Sequence, residues 1–271
     1  MLFANLIISA NIVMSALGYY DIISELGRNV LIYPLDYCII KGSSIDLSAS
    51  RYAWSIDSGE SLVQDDKIII PPKQTAIVLT NETIYVSEKI CGTYHPKVTL
   101  VSKGLSHIAT TLDPYFIGIS SISLTNMSDK AITITVGSVF VTIMLYYIKS
   151  PSKNTERQNS KDFIMSLNHC DNFEILRNWL ATNNWIFEHK ELCNKVTKST
   201  KYKEIKDLYK YRNKFKYLFS NKNALPVITI VVLVLVSMLS YYFDYFATIV
   251  PTFLPLIVYC MIELFKNHND K

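Results

Sequence analysis

The residues best equipped for chemistry gather in one stretch, residues 92–126, which reads GTYHPKVTLVSKGLSHIATTLDPYFIGISSISLTN. Lys97 and Lys103 supply positive charge, Thr99 and several serines supply hydroxyls, His95 and His107 flank the lysines, and Asp113 is followed by Pro114. Alternating apolar positions separate these groups. Cations, hydroxyls and imidazoles together can hold a phosphate, so the stretch poses a question: a nucleotide-processing site, or the remains of one. The residues alone also permit a plainer reading, in which Lys97, Thr99 and Asp113 are strand-end groups of a β barrel and the histidines sit on solvated loops.

A second group with the right chemistry is His169, Cys170, His189 and Cys193. His189 and Cys193 are four apart and would share a helical face. Structural zinc sites show two tight ligand pairs, and an adjacent His-Cys pair is poorly shaped for one ion, so no metal is expected. The five cysteines (Cys38, Cys91, Cys170, Cys193, Cys260) are odd in number, widely spaced and form no CxxC pair. That argues against a disulfide framework and for a reducing compartment.

The elements that must position these residues can be read from patterning. Over residues 28–149 short runs rich in Val, Ile, Thr, Tyr and Ser alternate between turn signals, among them NVLIYPL, SSIDLSASRYAWSI, DKIIIPPKQTAIVLTNETIYV, KVTLVSKGL and KAITITVGSVFVTIMLYYI. Such alternation predicts an all-β sandwich or barrel, with residues 127–130 as a hairpin turn and Gly137 as the turn before a last strand. A polar linker, residues 150–161, ends the β domain, placed at residues 21–149. Residues 162–219 then show apolar side chains at three- and four-residue intervals, which gives a helical, basic juxtamembrane region over residues 150–222.

The chain has 271 residues, 49% hydrophobic and 12% aromatic, which excludes a disordered or fibrous protein. Its net charge of +4 is unevenly placed. Ten Lys or Arg fall between Lys195 and Lys222, against two acids, Glu204 and Asp207. On a helix this block carries an aromatic stripe (Tyr202, Tyr209, Tyr211, Phe215) opposite its lysines. Nucleic acid is one reading of such a surface; docking on anionic membrane lipid is preferred because a long uncharged run adjoins its C-terminal end.

That run, residues 224–243, ALPVITIVVLVLVSMLSYYF, holds no charge, and about 20 such residues span a hydrocarbon core of roughly 30 Å. Residues 245–262 form a second apolar run interrupted by Pro251 and Pro255. A two-helix transmembrane hairpin over residues 224–265 is therefore expected, with a cytoplasmic tail at 266–271. Asp244 then lies in the outer turn, either as a plain turn residue or as a pore-mouth charge. Basic flanks favour the cytoplasmic side, which puts both termini there and the spans in a bacterial inner membrane. The apolar opening, residues 1–20, lacks the basic start of a signal peptide. Met14 offers a second start, and residues 1–13 are set aside.

The order of motifs over residues 21–148 resembles the dCTP deaminase and dUTPase family. DIISELGRNVLIYPLD resembles its N-terminal helix and "I-x-P" strand, KGSSIDLSAS its "S-x-D-L" strand, and IPPKQTAIVLTNETIYVSEKICG its "P-x-x-x-x-L-x-x-T-x-E" segment. Residues 97–105 stand at the "G-R-S-S-L-x-R-x-G-L" motif, TTLDPYFIGISSISLTN at "x-I-D-P-G-F-x-G-x-x-T-x-E-L-x-N", and ITVGSVFVTIMLYY at "L-x-x-G-x-x-x-x-Q-L-x-F". The resemblance implies a dUTPase-like β-barrel or sandwich, a homotrimer with sites between subunits, and binding of a nucleotide. It also implies which residues carry chemistry, and here the sequence departs. The family's catalytic glutamate falls on Ser123, its catalytic serine on Val98, its second arginine on Ser102 and its last-strand glutamine on Thr142. Lys97 matches the phosphate-facing arginine in charge, Thr99 keeps a hydroxyl, and Asp113 matches the Asp-Pro that borders sugar and base; Gly118 and Asn126 match structural positions.

A serine cannot shuttle the proton that zinc-free cytosine deamination requires. The expectation is thus a mainly β nucleotide-binding domain, a helical region and two transmembrane helices. Together they would form a membrane-anchored sensor or effector without deaminase activity, of the kind that serves bacterial antiviral defence. Its ligand would be a dCTP- or dUTP-like nucleotide or a cyclic dinucleotide, with no cofactor beyond Mg accompanying a triphosphate; lipid and other copies of the chain would be its partners, and nucleic acid would not. The alternatives are an active membrane-tethered dCTP deaminase or dUTP diphosphatase, with Asp113 ordering a water as in the dUTPases, and a purely structural anchor.

Overall fold

The computed structural model describes residues 15–107, 110–153 and 159–220, with side chains except those of Tyr37, His107 and residues 211–220. In chain order the elements are β1 (Ser15–Ala16), α1 (Tyr19–Glu25), β2 (Val30–Tyr33), β3 (Ile45–Ser55), β4 (Val63–Gln64), β5 (Lys67–Ile70), β6 (Thr75–Val86), β7 (Ile90–Pro96), α2 (Val98–Val101), β8 (Leu105–His107), β9 (Thr111–Leu112), β10 (Ile117–Asn126), β11 (Ile132–Thr135) and β12 (Val139–Tyr147). The helices α3 (Lys161–Ser166), α4 (Phe173–Thr182), α5 (His189–Lys198) and α6 (Thr200–Ser220) complete the order. By contacts the chain divides into Met1–Tyr209 and Lys210–Lys271; the first unit holds both sheets and the helices up to the first half of α6.

A nine-stranded antiparallel sheet runs β8-β10-β6-β3-β12-β7-β9, with β1 on β12 and β2 on β6; a small sheet β11-β5-β4 faces it. The large sheet curls around one interior to which both sheets contribute. Leu47, Ala49, Val78, Leu124, Phe140 and Ile143 come from the large sheet and Ile68, Ile70, Ile132 and Ile134 from the small one. β11 is buried at alternate residues only, as a strand with one wet face should be. β6 and β10 are buried almost throughout, because a second layer covers their outer face.

That second layer is helical. α3 and α4 place Ile164, Phe173, Leu176 and Leu180 against Trp54, Leu79 and Ile119 on the outer face of β3, β6 and β10. The spacing 173, 176, 180 is the buried stripe of an amphipathic helix. The indole of Trp54 donates to the carbonyl of Asp171 at 2.8 Å, so the largest fully buried side chain is also tied to the helical layer. α5 lays Leu192 and Val196 over Leu31, Tyr85 and Ile117. α6 begins by burying Ile205 in the cluster that holds α1, and Lys206 Nζ donates to the carbonyls of Ile23 (2.7 Å) and Ser24 (3.2 Å). These are carbonyls near the end of α1, where a cation is favoured by the helix dipole. The helices after the β domain are thus packed onto it.

The mainly β class with helices after it stands as expected. Two local readings do not. Residues 127–130 turn the chain but form no hairpin, since β10 pairs with β6 and β8 while β11 pairs with β5. The buried Asn126 amide fixes that turn by donating to the carbonyls of Ile70, Pro71 and Lys130. KVTLVSKGL is not one strand: Lys97–Gly104 closes a short helix and turn, with Leu100, Val101 and Ser102 amides bonded three and four residues back, before β8 starts at Leu105. Among the described residues no helix is long and apolar enough to cross a membrane. The expected spans within residues 224–265, like residues 1–13, lie outside the described residues.

Candidate functional site

Lys97 stands at the end of β7 and caps the first turn of α2. Its ammonium is held 2.9 Å from Asp46 Oδ1 on β3, with side-chain exposures of 31% and 7%. Asp46, Thr142 and His95 are directly opposite one another across β3, β12 and β7, and so share a face. Inward-facing Ile45, Leu47, Ile143 and Tyr94 lie on the other side, so this face points outward. Thr142 Oγ1 donates to the carbonyl of Ile45 at 3.0 Å. His95 Nε2 is 2.8 Å from Thr93 Oγ1. The half-exposed ammonium, the imidazole and two threonine hydroxyls form a small polar patch. α2 borders it with Val98, 81% exposed, with exposed Thr99, and with Ser102, whose hydroxyl turns back to the Thr99 carbonyl. Val98 offers solvent no hydrogen-bonding group.

The other named residues lie apart. Leu112 is opposite Gly92 on β7, so Asp113 falls beside Cys91 at the far end of the strand, six residues or about 20 Å from Lys97 at 3.4 Å per residue. Asp113 is exposed and accepts from Thr111 Oγ1 at 3.1 Å. Burial first, and the Asp113 carboxylate second, push the Cys91 thiol above its ordinary value, so Cys91 is no thiolate nucleophile at neutral pH. Ser123, on β10, faces Ile77, which faces Trp54. It therefore looks out on the side covered by α3 and α4. From β10 to β12 is three strand spacings, about 14 Å along the sheet. His107, in β8, pairs with Leu124 beside Ser123. One chain thus brings Lys97, His95 and Thr142 together and leaves Asp113 and Ser123 in two other places.

Two acids not singled out from the sequence matter to the site. Asp46 is the counter-charge of Lys97; its signal was a lone carboxylate between the inward Ile45 and Leu47. Glu82 is buried, accepts from Ser48 N (2.9 Å) and Ser48 Oγ (2.7 Å), and is pushed above the ordinary carboxylate range chiefly by burial, with the Ser48 hydrogen bonds pulling the other way. A buried chain of polar groups, Tyr94 to Ser120 (2.6 Å), Ser120 N to Thr80 Oγ1 (3.1 Å), and Thr80 Oγ1 to the Glu82 carbonyl (2.9 Å), crosses the interior. Among the described residues no three His, Cys, Asp or Glu side chains are placed to hold a metal ion.

Residues 21–148 match the family model described as dCTP deaminase-like. The segment is similar to the dCTP deaminase of Pyrococcus abyssi, 27% identical over 135 residues that make up 50% of this chain and 88% of the relative. It is also similar to that of Pyrococcus furiosus, 24% identical over 135 residues, 50% of this chain and 86% of the relative. Among solved structures, the 2'-deoxycytidine 5'-triphosphate deaminase of Agrobacterium tumefaciens aligns at 13% identity with a TM-score of 0.42, covering 49% of each chain. Residues 21–148 are thus similar to dCTP deaminases over just under half of the chain, and the helices from α3 onward lie outside the segment that the family model matches.

Proposed function

We propose that the β domain binds a nucleotide without deaminating it, and that binding is passed through the helical layer to a C-terminal membrane hairpin. The observation that carries this is the contrast at the site. A cation, Lys97, is held beside hydroxyls on an outward face, as phosphate binding needs. The positions for proton transfer and nucleophile placement are a serine, Ser123, and an exposed valine, Val98. Separation of Lys97, Asp113 and Ser123 within one chain favours a site completed between copies, in keeping with the homotrimer that the family resemblance implies. The ligand is a dCTP- or dUTP-like nucleotide or a cyclic dinucleotide, with Mg only as the companion of a triphosphate. The uncharged runs at 224–243 and 245–262, after a basic helix, support a bacterial inner-membrane location with both termini in the cytoplasm and lipid as a partner. A membrane effector of antiviral defence fits that layout.

The relatives are dCTP deaminases, and an active membrane-tethered deaminase or diphosphatase is the competing reading. To test the coupling, the full-length chain is reconstituted in vesicles containing anionic lipid and a self-quenching dye. Adding dCTP, dUTP or a cyclic dinucleotide should release the dye, and a Lys97→Ala/Asp46→Asn variant should lose the response. If none of the three ligands changes leakage, the sensor reading is wrong.

A further inference from the structure

We infer that the groove between β3 and α4 is a second ligand site, separate from the Lys97 patch, for a planar ring bearing an anionic group, the chemistry of a nucleoside monophosphate. Two adjoining cavities, of about 340 Å3 and about 260 Å3, share Arg51 and Tyr52. The larger is within the size range of small-molecule sites. Its wall is aromatic. Trp179 of α4 remains 38% exposed although its neighbours Leu176 and Leu180 are buried. Its ring lies 6.1 Å from that of Tyr52, which stacks in turn on buried Trp54 at 6.2 Å. Those spacings leave no slot between the rings, so a ligand ring packs against the exposed part of Trp179.

The rest of the groove supplies what a ring alone would not need. Asn81 lines the larger cavity; its Nδ2 donates to Ser48 Oγ and the Ala49 carbonyl, which leaves Oδ1 to accept from the edge of a base. Arg51 stands at the junction of the two cavities. Its guanidinium meets Asp66 at 3.3 Å in a pair whose side chains are 67% and 74% exposed. Such a pair is worth at most about 1 kcal/mol, so the anionic group of a ligand can displace it and gain planar, two-pronged contact. Trp179 and Ile175, which close the groove on one side, belong to α4, which lies outside the segment matched by the deaminase-like model. The groove is thus walled mainly by the β domain and closed by one helix of the helical layer, and it does not depend on the nucleotide reading of Lys97.

The test is a titration of the full-length chain with AMP, CMP and GMP, monitored both by tryptophan emission and by calorimetry. Adenosine, cytidine, guanosine, ribose 5-phosphate and inorganic phosphate serve as controls. At least one monophosphate should saturate the signal, with its nucleoside and ribose 5-phosphate binding at least tenfold more weakly. Arg51→Gln should weaken binding at least tenfold, and Asp66→Asn should strengthen it by freeing the guanidinium. Trp179→Phe should remove much of the emission change while the heat of binding persists, which separates loss of the reporter from loss of fold. Lys97→Ala/Asp46→Asn should leave these affinities unchanged. Absence of saturable heat with all three monophosphates at millimolar concentration overturns the inference, as does binding that depends on Lys97 and ignores Arg51.

Discussion

At the scale of single residues, the Lys97–Asp46 pair decides how the patch behaves. Asp46 is almost wholly buried and Lys97 only partly so, and removing the cation leaves a desolvated carboxylate without its partner. Lys97→Ala alone should therefore lower unfolding free energy by about 1–3 kcal/mol. The double variant Lys97→Ala/Asp46→Asn should recover most of that, and denaturant melts of both compare them directly; equal losses would mean the pair does not couple. Asp46→Asn by itself should tighten anion binding. Glu82 sets a pH dependence of definite sign. Because burial raises its folded value, the folded state holds the proton over a range where the unfolded state has released it, and stability falls as pH rises from the ordinary glutamate range through the raised value. Glu82→Gln, which keeps an acceptor for Ser48, should flatten the decline of melting temperature as pH rises above the ordinary glutamate range. An unchanged slope would remove Glu82 as its source.

At the scale of elements, the strands were legible because their alternation has a physical cause, one inward face per strand; β3, β6 and β10 obey it, and β12 obeys it after the irregularity at which Phe140 and Val141 are both buried in the interior. The segment after Pro96 was not. Its Val-Thr-Leu-Val composition favours a strand, yet the flanking Pro96 and the left-handed Gly104 (φ +92) confine it to a short turn of helix that buries Leu100. Pairing was also out of reach: nothing local in residues 127–130 tells a hairpin from a crossing between sheets, because the Asn126 amide that fixes the turn bonds carbonyls about 55 residues away. Similarly, the helices read as a linker region from their periodicity, but what they cover is written in Trp54, Leu79 and Ile119, far upstream. Gly118 marks the junction: at φ +140, a Cβ there would collide with Ser160 Oγ at the start of α3. Two consequences are measurable. A chain ending at Lys149 bares the face under α3–α5 and should aggregate or melt well below the full chain, whereas a well-behaved β domain of unchanged stability would contradict the packing described. Trp54→Ala should cost about 3–5 kcal/mol.

At the scale of the whole molecule, a dCTP deaminase-like domain of residues 21–148 is joined to a helical layer that the deaminase relatives' matched segment does not include. The fold of that domain and the charge at Lys97 were both visible in the sequence; the partner Asp46, the separation of Asp113 from Lys97, and the α4 groove depend on pairings between distant segments and were not. A serine hydroxyl such as that of Ser123 cannot shuttle a proton at neutral pH, so the proposed function turns on binding without reaction. The most direct measurement is calorimetry of the full-length chain against dCTP, dUTP and cyclic dinucleotides, with product analysis of the same samples. Saturable binding that Lys97→Ala/Asp46→Asn weakens at least tenfold, with no ammonia or pyrophosphate formed, is the predicted result; release of either product at a catalytic rate would contradict it and make the protein an enzyme.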